Sequence, residues 1–266
     1  MNRFPGKVAV VTGGAAGIGR AVVEELCSGG CTTAFLDRDV EAGTKAMEYF
    51  SSQGYRAEFY AGDLGDEAFC RNACSQIVQK VGAVHYLVNN AFSFLSKGID
   101  ATKADWERMF EVGPQAFALM AQCLVPAMKL GGGGSIVNVA SISAYIAQPN
   151  RWTYNAAKGA VLNLTRCMAF DLAPFGIRVN SVSPAWIWTQ EVDKIAGGDR
   201  QKWEPVFGKF HMLRRCGEPS EVARAIAFLL SDEASFITAT DLPVDGGYLG
   251  LGGEGLGDNS KFAGTS

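Results

Sequence analysis

Residues 7–20 read KVAVVTGGAAGIGR, and the fold turns on how they are read. The run KVAVV (7–11) is rich in β-branched residues and too short for a helix, so it is expected to be a buried strand. Glycines follow at 13, 17 and 19, and an amphipathic stretch runs from 17 to 29. Strand, glycine loop and helix in that order bring backbone N–H groups and a helix N-terminus to one point, which suits a pyrophosphate. A glycine loop alone also fits an ordinary tight turn, and its context is what favours a nucleotide. Gly13, Gly17, Ile18 and Gly19 are candidate cofactor-binding residues, with the glycines facing the phosphates.

The same alternation continues outward. Strands are expected at 32–36, 57–61, 85–89, 135–139, 178–182 and near 242–245. Helical patterns fall near 40–53, 66–81, 103–129, 153–173 and 219–231. Alternating strands and helices build right-handed βαβ units around a parallel sheet. The fold class is therefore α/β: a Rossmann-type, doubly wound, parallel seven-stranded sheet with helices on both faces. Residues 1–250 read as a single dinucleotide-binding and catalytic domain, with a lid at about 186–216 where the rhythm breaks. Residues 251–266 read as a glycine-rich tail.

Composition narrows the function. The chain has 266 residues, with 24 basic and 27 acidic side chains and a net charge of −3. No long basic run suggests nucleic acid, and no apolar run of about 18 residues suggests a membrane span. The apolar stretch at the start is too short for a signal peptide. Seven cysteines, without metal-site spacing, suit a reducing cytoplasm. Cys27, Cys70, Cys74, Cys123 and Cys167 lie in helical patterns and are expected to be buried thiols. His85 and His211 are the only histidines and make no zinc site, so no metal is expected.

Asp37 ends the second strand. A carboxylate there can accept from ribose hydroxyls and repel a 2′-phosphate, which argues for NAD over NADP. Arg38 is the one nearby basic residue that would favour the phosphate. Asp37 can alternatively cap the next helix, although Asp39 is better placed for that. Asp63-Leu64 end the third strand, where an adenine can lie, and Asp63 can equally cap the helix near 66.

Tyr154 and Lys158 stand four residues apart in YNAAK, on one helical face. A lysine beside a phenol favours the phenolate, and such a phenol can exchange a proton with a substrate oxygen near neutral pH. Alone, the pair also fits a surface helix. Ser141, shortly after the fifth strand, can bind the same substrate oxygen.

Together, TGGAAGIG, Asp63-Leu64, NNA at 89–91, Ser141, YNAAK and RVNSVSPAWIWT resemble the short-chain dehydrogenase/reductase family, up to about Gly247. The resemblance implies Tyr154 as general acid/base. It implies that Lys158 lowers the tyrosine's pKa and holds the nicotinamide ribose, and that Ser141 positions the substrate oxygen. Asn90 is implied to lie along the cofactor, with Ile187 and Thr189 touching the nicotinamide carboxamide and the phosphates. It also implies a homotetramer or homodimer packed through the helices near 103–129 and 153–173.

Three positions depart from the family pattern. Phe92 replaces a glycine, Ala185 replaces the glycine after Pro184, and Gly113 replaces an asparagine that helps hold a relay water. Gly113 and Pro114 also interrupt the helical stripe of WERMFEVGPQAFALMAQCL (106–124), where proline has no N–H for the Phe110 carbonyl. The expectation is a local helix break near the site, with the relay rebuilt from backbone and water. A weakly catalytic, cofactor-binding regulator or scaffold is the alternative.

Phe92, Phe94, Tyr145, Trp152, Trp186 and Trp188 fall near the carboxyl ends of strands, with Gln148, Asn150 and Arg151 at the same rim. They are expected to wall a pocket, although Tyr145 and Trp152 fit plain core equally well. The reading favours an NAD-dependent interconversion of a secondary alcohol and a ketone. A sugar, polyol or cyclic diol is the first choice of substrate and a more hydrophobic ring alcohol the second.

Overall fold

The computed structural model describes residues 3–256. Seven strands form one parallel sheet: β1 (Val8–Thr12), β2 (Thr32–Asp37), β3 (Ala57–Ala61), β4 (Tyr86–Asn89), β5 (Gly134–Val139), β6 (Ile177–Pro184) and β7 (Asp241–Val244). Their order is β3-β2-β1-β4-β5-β6-β7. Val10 pairs with Ala34 on one side and Leu87 on the other, so β1 is enclosed by both neighbours. Val8–Thr12 and Tyr86–Asn89 are almost wholly buried, as expected for strands covered on both faces.

The covering helices are α1 (Gly17–Ser28), α2 (Val40–Ser52), α3 (Glu67–Val81), α4 (Lys103–Phe110), α5 (Ala116–Leu130), α6 (Trp152–Leu172), α7 (Gln190–Ile195), α8 (Arg200–Gly208) and α9 (Pro219–Leu230). On one face, α1 and α9 pack Val22, Leu26, Val222 and Ile226 against the strands. On the other, α3 and α5 contribute Cys74, Ile77, Met120 and Leu124. A fully buried leucine such as Leu26 contributes about 1.5–3 kcal/mol.

The strand order reverses between β1 and β4. Two chain segments therefore leave the sheet there in opposite directions and open a crevice at the carboxyl ends. The glycine loop after β1 and the Asn90–Phe92 loop after β4 both begin at this crevice.

The interrupted helix is resolved as two helices, α4 and α5, joined by a wide π-type turn at Glu111–Gln115. Gly113 leaves helical geometry there, with φ −112° and ψ −118°. The Ala116 N–H reaches back to the carbonyls of Glu111 and Gly113, which bridges the register that Pro114 breaks. The break expected from the sequence is thus present, and it is a widened turn that keeps the chain's direction.

Two expectations are corrected. Cys167 is exposed and Cys123 is half-buried; the other five thiols are buried. Cys167 shares the outward side of α6 with Phe170, which is 84% exposed, opposite the buried face of Ala157, Val161, Thr165 and Met168. The 186–216 segment contains α7 and α8, which were not expected. Their caps, Thr189 and Asp199, accept from Val192 and Lys202 N–H groups. The expected tail ends its described part in a short turn at Gly253–Leu256, and residues 257–266 lie outside the described residues.

Candidate active site

The glycine loop is held from below. The Asn90 Nδ2 donates to the carbonyls of Thr12 and Gly13, and the Thr12 hydroxyl accepts from the N–H groups of Asn90 and Ala91. Gly13 and Gly17 have positive φ, 68° and 54°. Gly19 admits no side chain, because a Cβ there would meet the Gly13 carbonyl oxygen at 1.9 Å. The role of Thr12 was missed by sequence reasoning; its only signal is a hydroxyl residue at the last position of an otherwise aliphatic strand.

α1 begins without a side-chain cap. α2, α3 and α4 begin with Asp39, Asp66 and Thr102, each accepting a backbone N–H. At α1 the corresponding residue is Ala16, which accepts none. The first-turn N–H groups therefore keep their capacity for an anion. Asp37 lies beside this loop, with Oδ2 accepting from Ala15 N–H at 3.1 Å and Oδ1 from Asp39 N–H at 3.1 Å. A carboxylate has about four lone-pair sites, so ribose hydroxyls can still bind it. The donor set thus fits a dinucleotide: uncapped N–H groups for the pyrophosphate and a carboxylate for a ribose.

Asp39, as expected, caps α2. Asp63 does not cap α3; Asp66 does. Asp63 instead pairs with Arg108 of α4 at 2.5 Å and accepts from Gly65 N–H at 2.9 Å. Burial works against its charge, yet the Gly65 N–H and Arg108 hold its carboxyl below the usual range. Leu64 is buried beside it. The Asp63–Arg108 pair ties the end of β3 to the helix that leads into the π-turn.

Ser141, Tyr154 and Lys158 converge on a cavity of about 220 Å³, whose wall also includes Ile18, Asn90, Ile187 and Thr189. The glycine loop and the proposed catalytic residues thus share one space. Phe92, Phe94 and Trp186 line it from the aromatic set, and Gln148 and Arg151 from the polar rim. Tyr145, Asn150, Trp152 and Trp188 do not. Tyr145 bonds Asp241 at 2.9 Å, and Trp188 packs within the 186–216 segment. A larger cavity of about 450 Å³ lies behind the segment after β6, near His211, and contains none of the three.

Burial dominates the electrostatics. The Tyr154 phenol is pushed above its ordinary range by burial, against the opposing pull of Ser141 and Arg151. Burial pulls Lys158 down to about 7. The Lys158 ammonium donates to the Val139 carbonyl at 2.8 Å and stands 5.7 Å from the centre of the Tyr154 ring. In this arrangement Ser141 and Arg151, rather than Lys158, lower the phenol. The surrounding frame is fixed. Asn89 bonds Asn138, and Asn138 bonds Thr165, linking β4, β5 and α6 below the site. Thr153 donates to the Leu95 carbonyl and accepts from Lys97 N–H, tying the loop of Phe92 and Phe94 to α6.

Residues 13–249 match a family model described as enoyl-(acyl carrier protein) reductase. A cyclopentanol dehydrogenase of Comamonas sp. (strain NCIMB 9872) is 37% identical over 249 residues, covering 93% of this chain and 99% of that one. An L-sorbose reductase from Gluconobacter frateurii, solved with NADPH and L-sorbose, superposes with a TM-score of 0.87 at 28% identity, covering 94% and 99% of the two chains. A 7α-hydroxysteroid dehydrogenase, solved with NADH and 7-oxo glycochenodeoxycholic acid, superposes with a TM-score of 0.86 at 31% identity, covering 92% and 95%. Among the described residues, no helix is long and apolar enough to cross a membrane.

Proposed function

The chain belongs to the short-chain dehydrogenase/reductase family, as an oxidoreductase that interconverts secondary alcohols and ketones, and from that premise we propose NAD as its cofactor and a ring or polyhydroxy alcohol as its substrate. The observation that carries this reading is the single cavity shared by the glycine loop with Ser141, Tyr154 and Lys158. When bound, the nicotinamide supplies the hydride acceptor or donor. Tyr154 takes the hydroxyl proton of the alcohol, or returns it to the ketone oxygen. Ser141 donates a hydrogen bond to the same oxygen and holds it against the phenol. Ser141 and Arg151 are the groups that pull the phenol down in the described arrangement, and a charged Lys158 is proposed to add to them by favouring the phenolate at longer range.

Asp37 supports NAD, since a second negative charge beside its carboxylate is unfavourable. Phe94 and Trp186 offer flat apolar walls, and Gln148 and Arg151 offer donors, which together suit a ring bearing oxygen substituents. The relatives named for cyclopentanol and L-sorbose bracket that class. Ile187 and Thr189 are proposed to contact the nicotinamide carboxamide and the phosphates, and the 186–216 segment to act as a lid. The exposed Phe170 on α6 supports a homotetramer or homodimer packed through the helices near 103–129 and 153–173, and the seven free thiols suit a reducing cytoplasm. No observation favours a non-catalytic scaffold.

The test is direct. The purified protein is mixed with NAD or NADP and a panel of cyclic alcohols, polyols and sugars, while nicotinamide absorbance is followed. Turnover with NAD on a ring or polyol substrate, absent in Tyr154→Phe, is the expected result. Turnover retained in Tyr154→Phe would remove the mechanism.

A further inference from the structure

Two residues 21 positions apart in sequence meet beside Lys158. The ring of Phe92 lies under the ammonium, with Nζ 3.6 Å from the ring centre. The same ring presses against Gly113. A Cβ built on Gly113 would stand 2.9 Å from both Cε2 and Cζ of Phe92, closer than carbon atoms pack. The ring cannot easily step aside, because it also contacts Phe117 and Tyr154 edge-on, at centroid distances of 6.1 and 5.6 Å. A side chain at 113 and an aromatic ring at 92 therefore exclude each other.

We propose that Phe92 and Gly113 work as one unit: the ring is a seat for the Lys158 ammonium, and the missing side chain at 113 is the space that admits the ring. Phe92 is on this account a positioning residue acting through Lys158. A buried ammonium has lost its water, and here it has few substitutes. The Val139 carbonyl accepts one of its protons, and the negative face of the ring covers another side. The other charged or titratable groups around the cavity are Tyr154 on α6, Arg151 just before that helix, and Glu191 on α7, which is itself paired with Lys194. No carboxylate is bonded to the ammonium among the described residues. The ring thus helps to keep Lys158 charged in a dry site.

The inference rests on the proposed function only for its consequence, since the charge state of Lys158 can be read without turnover. The protein is prepared with isotope-labelled lysine, and the ε-carbon resonance of Lys158, assigned through Lys158→Met, is titrated by NMR. Phe92→Leu keeps bulk but removes the π face. It should lower the Lys158 titration midpoint by roughly half a pH unit to one and a half. Phe92→Tyr keeps a π face and should leave it near the wild-type value. Gly113→Ala should lower it by dislodging the ring, and should have no further effect in a Phe92→Leu background. An unchanged or raised midpoint in Phe92→Leu, or equal shifts from Gly113→Ala with and without the ring, would overturn the proposal. Should Phe92→Leu fail to fold, Gly113→Ala and Phe92→Tyr decide it alone. Silence in the turnover assay would count against the proposed reaction and leave this titration standing.

Discussion

The Asn90 side chain is hydrogen-bonded to the Gly13 carbonyl at 3.1 Å, and its Nδ2 shares the neighbouring Thr12 carbonyl at 3.0 Å. One amide thus joins the loops after β1 and β4 across the point where the strand order reverses. Asn90→Ala leaves the Gly13 carbonyl without this partner and frees the glycine loop. A stability loss of about 1–3 kcal/mol is expected, together with weaker NADH binding. A thermal melt and a fluorescence titration with NADH check both. Unaltered affinity would mean that the loop is held by other contacts.

Gly19 makes a sharper case. Its Cβ would come within 1.9 Å of the Gly13 oxygen and 2.5 Å of Asn90 Nδ2. Gly19→Ala must displace backbone, so it is expected to cost about 1–3 kcal/mol or more and to abolish detectable cofactor binding. Gly54 is a useful control. A Cβ there meets nothing within 4 Å, and its φ of +70° costs an alanine only local backbone strain of about 1–2 kcal/mol, so Gly54→Ala should lower stability slightly and leave NADH binding intact. Equal cofactor affinities in the two variants would contradict the steric account.

Much of this was legible in the sequence because the signals are local. The seven strands fall within about two residues of their expected places, since short β-branched runs between turn residues can do little else. Asp39 as a helix cap and the break at Gly113-Pro114 are likewise one-turn effects. What escaped depends on contacts between distant segments. Asp63 faces Arg108, 45 residues away, and so Asp66 takes the cap. Phe92 and Gly113 look like two separate departures until the turn after α4 brings them together. α7 and α8 are short and capped by Thr189 and Asp199, too brief for periodicity to reveal. Cys167 misled because it and Phe170 put apolar groups on the outward side of α6, among Asn163, Arg166 and Asp171.

Asp37 sets the next prediction. Its carboxylate stands beside the uncapped start of α1, bonded to Ala15 N–H. Asp37→Ser removes the charge that would oppose a 2′-phosphate. The ratio of kcat/KM with NADP to that with NAD should rise about tenfold or more, equivalent to ~1.4 kcal/mol. Arg38 is exposed next to it and is available to the phosphate. A ratio that stays fixed would remove Asp37 from cofactor selection.

Trp186 links the cavity to the 186–216 segment. Its indole stacks on Phe207 of α8 at 4.5 Å with an angle of 2° between the planes. Trp203 stacks on the same Phe207 ring, at 5.8 Å and 21°. Phe207→Ala leaves every wall residue of the cavity in place but removes the support behind Trp186. Aromatic pairs contribute about 0.5–1.5 kcal/mol beyond area burial, so KM for the alcohol should rise several-fold. The NADH dissociation constant should move less. A larger effect on NADH than on substrate would show that the segment serves the cofactor.

Lys158 carries a pH signature that needs no substrate. Burial lowers its folded value to about 7, against an ordinary 10.5 in the unfolded chain. Between those two values the unfolded chain holds a proton that the folded protein has released. Stability therefore rises with pH through this window, by at most about 1.4 kcal/mol per unit from this residue. Below pH 7 both forms are protonated, and the cost of burying the charge is felt in full. Lys158→Met has no such proton. Its stability advantage over the wild type should be largest at pH 6 to 7 and should shrink steadily toward pH 10, read as the difference between two urea-unfolding midpoints at each pH (roughly, from the window above). A difference that stays flat would mean that Lys158 keeps its charge in the folded protein, held by the Phe92 ring and the Val139 carbonyl more firmly than burial opposes it.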